Sequence, residues 1–203
     1  MSKVAAIILA AGRASRFGAA AGDSKAAAPL DGRPLVRHVA EAALASRARP
    51  IIVVTGHAAE AVQAALAGLD VMFAHNAQAA SGMASSLQCG LAAAPSCDAA
   101  LILLADMPRV RATTLDALIA AYEGATPHPL AVAPVYEGRR GNPVLLGRPL
   151  FGAVAALEGD VGARGLLHAA GSGLVEIAVN DPGVLLDIDT RAALAAERAH
   201  SAS

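Results

Sequence analysis

The sequence predicts an α/β protein in three layers, built on a doubly wound, mostly parallel sheet. Three observations carry that expectation. Short apolar runs with Val and Ile alternate with segments of helical period, a pattern that packs as parallel strands joined by right-handed crossovers. The most apolar run, Ala99 to Ala105, ends in Asp106, and a carboxylate just past a central strand lies where open α/β sheets place their ligands. Hydrophobic residues make up 55% of the 203 and charged ones 16%, enough apolar material for a full core.

Val4 to Leu9 reads as a buried strand running into Ala10-Ala11-Gly12. The loop beyond carries Arg13, Arg16 and Lys25 among small residues, with Gly12 and Gly18 spaced along it. Glycines let backbone N–H groups approach a ligand, and fixed cations neutralise charge, a combination suited to a polyphosphate. Two familiar phosphate loops are excluded by spacing. Position 14 is Ala, so the G-x-G-x-x-G fingerprint fails; five residues separate Gly12 from Gly18, so the P-loop spacing of four fails too. The plainer alternative, a surface turn with solvated cations, fits poorly, because generic turns favour Asn, Asp and Pro.

Pro34 is placed as the first residue of a helix whose apolar face is Leu35, Val36, Val39, Ala43 and Leu44. Pro50 opens a strand over Ile51 to Val54, and Thr55-Gly56-His57 turns the chain into a helix ending near Gly68. Val71 to Ala74 is a short third strand. Ser81 is the expected cap of a helix reaching about Ala94, which puts Gly82, Met83 and Ser86 at or near its N-terminus, where N–H groups suit an anion or a base edge. The same serines serve equally well as caps alone. Asp106 is a candidate metal ligand; a capping role is disfavoured because Thr113 or Thr114 is available ahead of Leu115.

Ala131 to Tyr136 is a strand, and residues 137–143 make a hairpin-like connection into Val144 to Leu146. Pro149 starts a short helix, and Gly159-Asp160-Val161-Gly162-Ala163-Arg164-Gly165 opens another. These two basic, glycine-rich loops suggest a second anion site; ordinary turns with solvated arginines fit them as well. Val175 to Val179 is a strand. Asp187 and Asp189, one residue apart, share a face if the segment is extended, and Thr190 begins a final helix to about His200.

Composition narrows the function classes. Aromatic residues are 2% with no Trp and the net charge is −1, which argues against a nucleic-acid partner. No apolar stretch approaches the roughly 18 residues of a membrane span. Met1-Ser2-Lys3 leads straight into the first strand, so no secretory leader is expected. Cys89 and Cys97 lack metal or redox spacing. A cytoplasmic location is the expectation.

Several segments acquire a common meaning when taken together: Leu9-Ala-Ala-Gly12 with Arg16, Gly18 and Lys25; Val54 to His57; Ser81-Gly-Met83 through Leu87; Leu104-Ala-Asp-Met-Pro108; Arg140-Gly-Asn-Pro143; Gly159 to Gly165; and Leu186-Asp-Ile-Asp-Thr190. The set resembles the molybdenum cofactor cytidylyltransferases, within the nucleotidyltransferase family that includes the matching guanylyltransferases. The resemblance covers nearly the whole chain. It implies a Rossmann-like nucleotidyltransferase fold in a single domain, with residues 1–125 as the nucleotide-binding half and 126–203 as the acceptor-binding half. The implied reaction is Mg2+-dependent transfer of CMP from CTP to the phosphate of a molybdopterin-like acceptor, releasing pyrophosphate, with a recipient molybdoenzyme as a further partner.

By the same resemblance Arg16, Lys25 and Asp106 are catalytic. Leu9, Ala10, Ala11, Gly12, Arg13, Gly18, Lys25, Ser81, Gly82, Met83 and Ser86 bind the nucleotide. Arg140, Asn142, Asp160, Gly162 and Arg164 bind the acceptor, and Asp106 holds Mg2+ with Asp187 or Asp189, the former preferred because Asp189 lies nearer the helix start. A phosphate nucleophile is already anionic, so no general base is needed, and catalysis comes from positioning and charge neutralisation. Ala11-Gly12 is the pattern associated with cytosine, and the Ala11 methyl fills space that a purine needs; one methyl discriminates by only about 1–3 kcal/mol, so Ser81 to Met83 supply the rest. GTP or another triphosphate, a sugar or polyol phosphate acceptor, or a non-catalytic carrier of nucleotide or pterin are the alternatives. Residues 19–24 make a longer arm before the lysine than the family usually carries, and Ala105 stands where glycine is common.

Overall fold

A computed structural model describes residues 2–12, 24–160 and 162–201. In chain order its strands are β1 (Val4–Leu9), β2 (Pro29–Leu30), β3 (Arg33–Pro34), β4 (Ile51–Thr55), β5 (Met72–His75), β6 (Ala99–Leu104), β7 (Ala131–Tyr136), β8 (Arg139–Arg140), β9 (Val144–Gly147) and β10 (Leu174–Ala178). The main sheet runs β10-β7-β9-β6-β1-β4-β5, with β8 on the flank of β7. β1 pairs in parallel with both β4 and β6, aligning Leu9 with Val54 on one side and Leu104 on the other. β9 is inserted antiparallel between β6 and β7, and β10 returns parallel to β7. The doubly wound, mostly parallel sheet expected from the alternation is therefore the fold.

Successive side chains of β1 point to opposite faces, as the pleat requires. Val4, Ala6 and Ile8 join the core under α1 (Leu35–Ala45), α2 (Ala59–Ala65) and α4 (Ala112–Gly124). Ile7 joins the core on the other face with residues of α3 (Met83–Ala92), α5 (Phe151–Val154) and α6 (Ala163–Ala170). A Cβ on Gly90 would overlap Ile7, so this glycine lets α3 lie close on the sheet. The last helix, α7 (Arg191–Ser201), docks Leu194 with Leu30, Leu35 and Ile188 in a small separate cluster.

Local readings fail where tertiary contacts intervene. Pro34 belongs to β3 and precedes α1 rather than starting it. The hairpin β2–β3 was not expected, although Asp31-Gly32, both at positive φ, are the residues a two-residue turn requires. Ser81 ends a 3-10 turn, and Gly82 occupies the cap position of α3. Thr114 lies inside α4, buried, its hydroxyl donating to Asp181 at 2.6 Å. Before α7 the chain makes a 3-10 turn over Pro182–Leu185, and Leu186 beyond it is extended, leading into Asp187 and Asp189 without forming a strand. Thr190 does cap α7, its Oγ1 accepting from the Ala193 N–H at 3.1 Å.

Candidate active site

The carboxyl ends of β1 and β6 lie side by side where the strand order reverses, the position at which open α/β sheets form a ligand crevice. Ala10 continues the β1–β4 pairing through the Val54 carbonyl at 2.9 Å. Asp106 follows β6 directly, and its carbonyl accepts the Ile188 N–H at 2.9 Å, drawing the 186–189 segment over the strand ends. Lys25 starts a short 3-10 turn anchored by the buried Ala26.

These elements converge on one cation. Lys25 Nζ lies 2.6 Å from Asp106 Oδ2 and 2.6 Å from Asp189 Oδ1, with the lysine side chain only 16% exposed. Burial alone works to lower the lysine pKa, but the hydrogen bonds and charges of Asp106 and Asp189 outweigh it and raise the value. Asp187 is pushed up by partial burial first, then by the charge of Asp189 and, more weakly, of Asp106. The second oxygen of Asp106, Oδ1, is buried and has no hydrogen-bond partner among the described residues. Leu9, Ala10, Gly12, Lys25, Asp106 and Asp189 line a cavity of about 210 Å³ here.

Among the described residues no group of three His, Cys, Asp or Glu is gathered as a metal cage. The donor set nevertheless suits a hard divalent ion, since Mg2+ is characteristically held by one or two carboxylates together with substrate phosphates. The unpartnered Asp106 Oδ1 is the atom of this structure that asks for such a ligand.

A larger cavity of about 770 Å³ also reaches Leu9. Its wall joins the expected residues Met83, Arg140, Asn142, Asp160 and Gly162 to an apolar surface of Ile102, Leu104, Val144 and Leu167. Two close backbone approaches assemble it. A Cβ on Gly82 would overlap the Gly159 carbonyl, and the Ala84 N–H donates to that carbonyl at 3.1 Å, so one donor at the start of α3 is already used. A Cβ on Gly141 would overlap the Val184 carbonyl, which accepts the Asn142 N–H at 2.9 Å.

Other expected residues sit differently. Ser86 is 5% exposed and its hydroxyl accepts from Asn76 Nδ2 at 3.1 Å, while Ser81 donates its hydroxyl to the Gln78 carbonyl at 2.8 Å. Ala11 is buried beside Gly56 and lines neither cavity. Arg140 stands at the cavity wall but is paired with Glu176. Arg13, Arg16, Gly18 and the side chain of Arg164 lie outside the described residues.

Two residues escaped the sequence reading. His168 lines the larger cavity together with Gly165, three positions earlier on α6, a spacing that one helical face would have shown. Asn76 is 6% exposed and donates to Ser85 Oγ at 2.8 Å as well as to Ser86, while its Oδ1 accepts the Gln78 N–H at 2.9 Å. It thereby ties the end of β5 to the start of α3; only an Asn following a strand hinted at this.

The sequence matches the MobA-like NTP transferase domain over residues 6–174. The chain belongs to that family. Rv0371c from Mycobacterium tuberculosis H37Rv superposes with a TM-score of 0.81 at 28% identity, covering 98% of both chains. A complex of Rv0371c with manganese gives 0.78 at 27%, covering 98% of this chain and 99% of that one. A nucleotidyl transferase from Methanothermobacter, Mth528, gives 0.81 at 26% identity over 98% of this chain and 97% of that one. The bifunctional protein GlmU of Burkholderia vietnamiensis is 40% identical over 119 residues, 58% of this chain. The match is 26% of that protein, so the chain spans about a quarter of the length of such relatives. Among the described residues no helix is long and apolar enough to cross a membrane.

Proposed function

We propose that this MobA-like NTP transferase moves CMP from CTP onto the phosphate of a molybdopterin-like acceptor and releases pyrophosphate. The observation that carries the reading is the pair of unlike cavities that share Leu9 in their walls: a small one walled by a lysine and two carboxylates, and a larger one with an apolar wall and polar rim. The first suits a triphosphate with its ion. The second suits a flat acceptor body carrying an anionic group.

In this reading an acceptor phosphate oxygen attacks the α-phosphorus of CTP, a new P–O bond forms, and the bond to pyrophosphate breaks. The nucleophile is anionic at the start, so no side chain has to remove a proton. Lys25 neutralises charge on the departing pyrophosphate, and the Gly12 backbone lies at the same cavity wall. Asp106 and Asp189 would hold a divalent ion, which supplies further neutralisation of phosphate charge when bound. Base selection is assigned to the Ala11-Gly12 turn together with Ser81, Gly82 and Met83, of which Met83 also lines the larger cavity.

Pyrophosphate release, measured across CTP, GTP, ATP and UTP against molybdopterin, common sugar phosphates and polyol phosphates, tests the proposal. CTP with molybdopterin is expected to turn over at least about tenfold faster than any other pair, the scale one modest specificity contact supplies. A preference for GTP, or for a sugar phosphate, overturns the cytidylyl or the acceptor assignment respectively.

A further inference from the structure

The lysine of this site is conventionally a partner for phosphate, yet here it is committed to carboxylates. Its ammonium bridges Asp106 and Asp189 at 2.6 Å each, with Asp187 close enough to feel both charges. The lysine backbone is fixed: Ala28 N–H donates to the Lys25 carbonyl at 3.0 Å, and Leu35 N–H to the Ala28 carbonyl at 2.9 Å. Only the four-carbon stem is left to carry the charge elsewhere.

We propose that Lys25 is the resident counter-ion of the metal-binding carboxylates and competes with the divalent ion until a triphosphate takes the ammonium away. This rests on the reading that Asp106 and Asp189 hold the ion, but not on the base or the acceptor. A divalent ion arriving alone has to displace an ammonium that has three donors, no acceptor, and Asp106 and Asp189 as its ion-pair partners among the described residues. Once a polyphosphate lines the cavity shared by Gly12 and Lys25, the ammonium gains a new anionic partner and the carboxylates are released. Ion and triphosphate then bind with positive coupling, and linkage makes the effect reciprocal. The device keeps the carboxylates neutralised between turnovers, when uncompensated charges would repel.

Removing the competitor should therefore improve ion binding, the opposite of what a ligand-side lysine would do. Electron paramagnetic resonance titration of Mn2+ alone, with no nucleotide, compares wild type with Lys25→Met. The variant is expected to bind Mn2+ about tenfold more tightly, within the range usual for site coupling. Adding Asp106→Asn to Lys25→Met is expected to return binding to the wild-type level or below, with circular dichroism melts confirming that each variant is folded. In water-proton relaxation measurements, α,β-methylene-CTP should tighten Mn2+ binding to wild type by at least about fivefold and to Lys25→Met by less. Equal or weaker Mn2+ binding by a folded Lys25→Met overturns the proposal, as does undiminished coupling in that variant. Absence of Mn2+ binding from every form, with and without the triphosphate, overturns both this inference and the metal assignment beneath it. A wild type that uses GTP or a sugar phosphate leaves it standing.

Discussion

Asp187 stands beside two carboxylates that share one ammonium. Asp106 and Asp189 contact Lys25, whereas Asp187 is raised above the usual carboxylate range by partial burial, then by Asp189 and Asp106. A folded-state value above the unfolded one means the folded protein holds the proton more tightly. That stabilisation is complete below the unfolded value and is lost as pH rises through the folded one. At neutral pH only the repulsion remains, so Asp187→Asn is expected to raise the melting temperature in EDTA at pH 7. The group is largely exposed, so a few tenths of a kcal/mol, roughly 1 °C for a chain of this size, is the expected scale. The advantage should disappear near pH 4, and a variant that melts below wild type at pH 7 contradicts the crowding. At this scale the sequence was legible where chemistry is tied to a strand end: Asp106 after β6 and Lys25 after the first loop were both singled out and meet. Ser86 was not legible. A hydroxyl near a helix start looks the same on paper whether it faces a ligand or Asn76.

Among the elements, the loops of the second half were recognised as glycine-rich without the reason for their glycines. Gly138 and Gly141 bracket β8 and separate two physical causes. Gly138 has a φ of +73° with open space around it, whereas at Gly141 an added Cβ would overlap the Val184 carbonyl. Gly138→Ala should therefore cost about 1 kcal/mol for its backbone angle alone. Gly141→Ala sets a methyl against backbone that is hydrogen-bonded to Asn142, and should cost about 2–3 kcal/mol, the upper range for overpacking. Urea unfolding of both variants gives the comparison; an equal loss would mean the Gly141 approach is not constraining. Strand extents came through well, β1 and β7 falling on the expected residues, because apolar runs bounded by turns are local signals. Caps and turns came through less well. Gly82 takes the cap expected of Ser81 because its neighbour in space is Gly159, far away in the sequence.

For the whole molecule, the alternation of strands and helices sufficed to predict a doubly wound sheet, but not where the second half would enter it. β9 is the answer: it pairs with β6 from Ala99–Gly147 to Ile102–Val144, and with β7 at Ala131–Leu146 and Val132–Leu145. No local signal announces that a short strand after a hairpin will be inserted antiparallel beside the central strand. The consequence is that residues 1–125 and residues 126–203 share one sheet and one pair of cores. Leu145 buries with Leu101 on one face and Leu146 with Ala100 on the other, so neither face of β6 is complete without β9. Unfolding should therefore be a single cooperative event. Urea transitions followed by far-ultraviolet circular dichroism and by near-ultraviolet signals from Tyr122 and Tyr136 are expected to coincide, since the first tyrosine lies on α4 and the second on β7. A fragment of residues 1–125 is expected to show no cooperative transition, because β6 would become an exposed apolar edge. Two separated transitions, or a fragment that folds alone, would instead make residues 126–203 an appendage on a self-sufficient unit of residues 1–125.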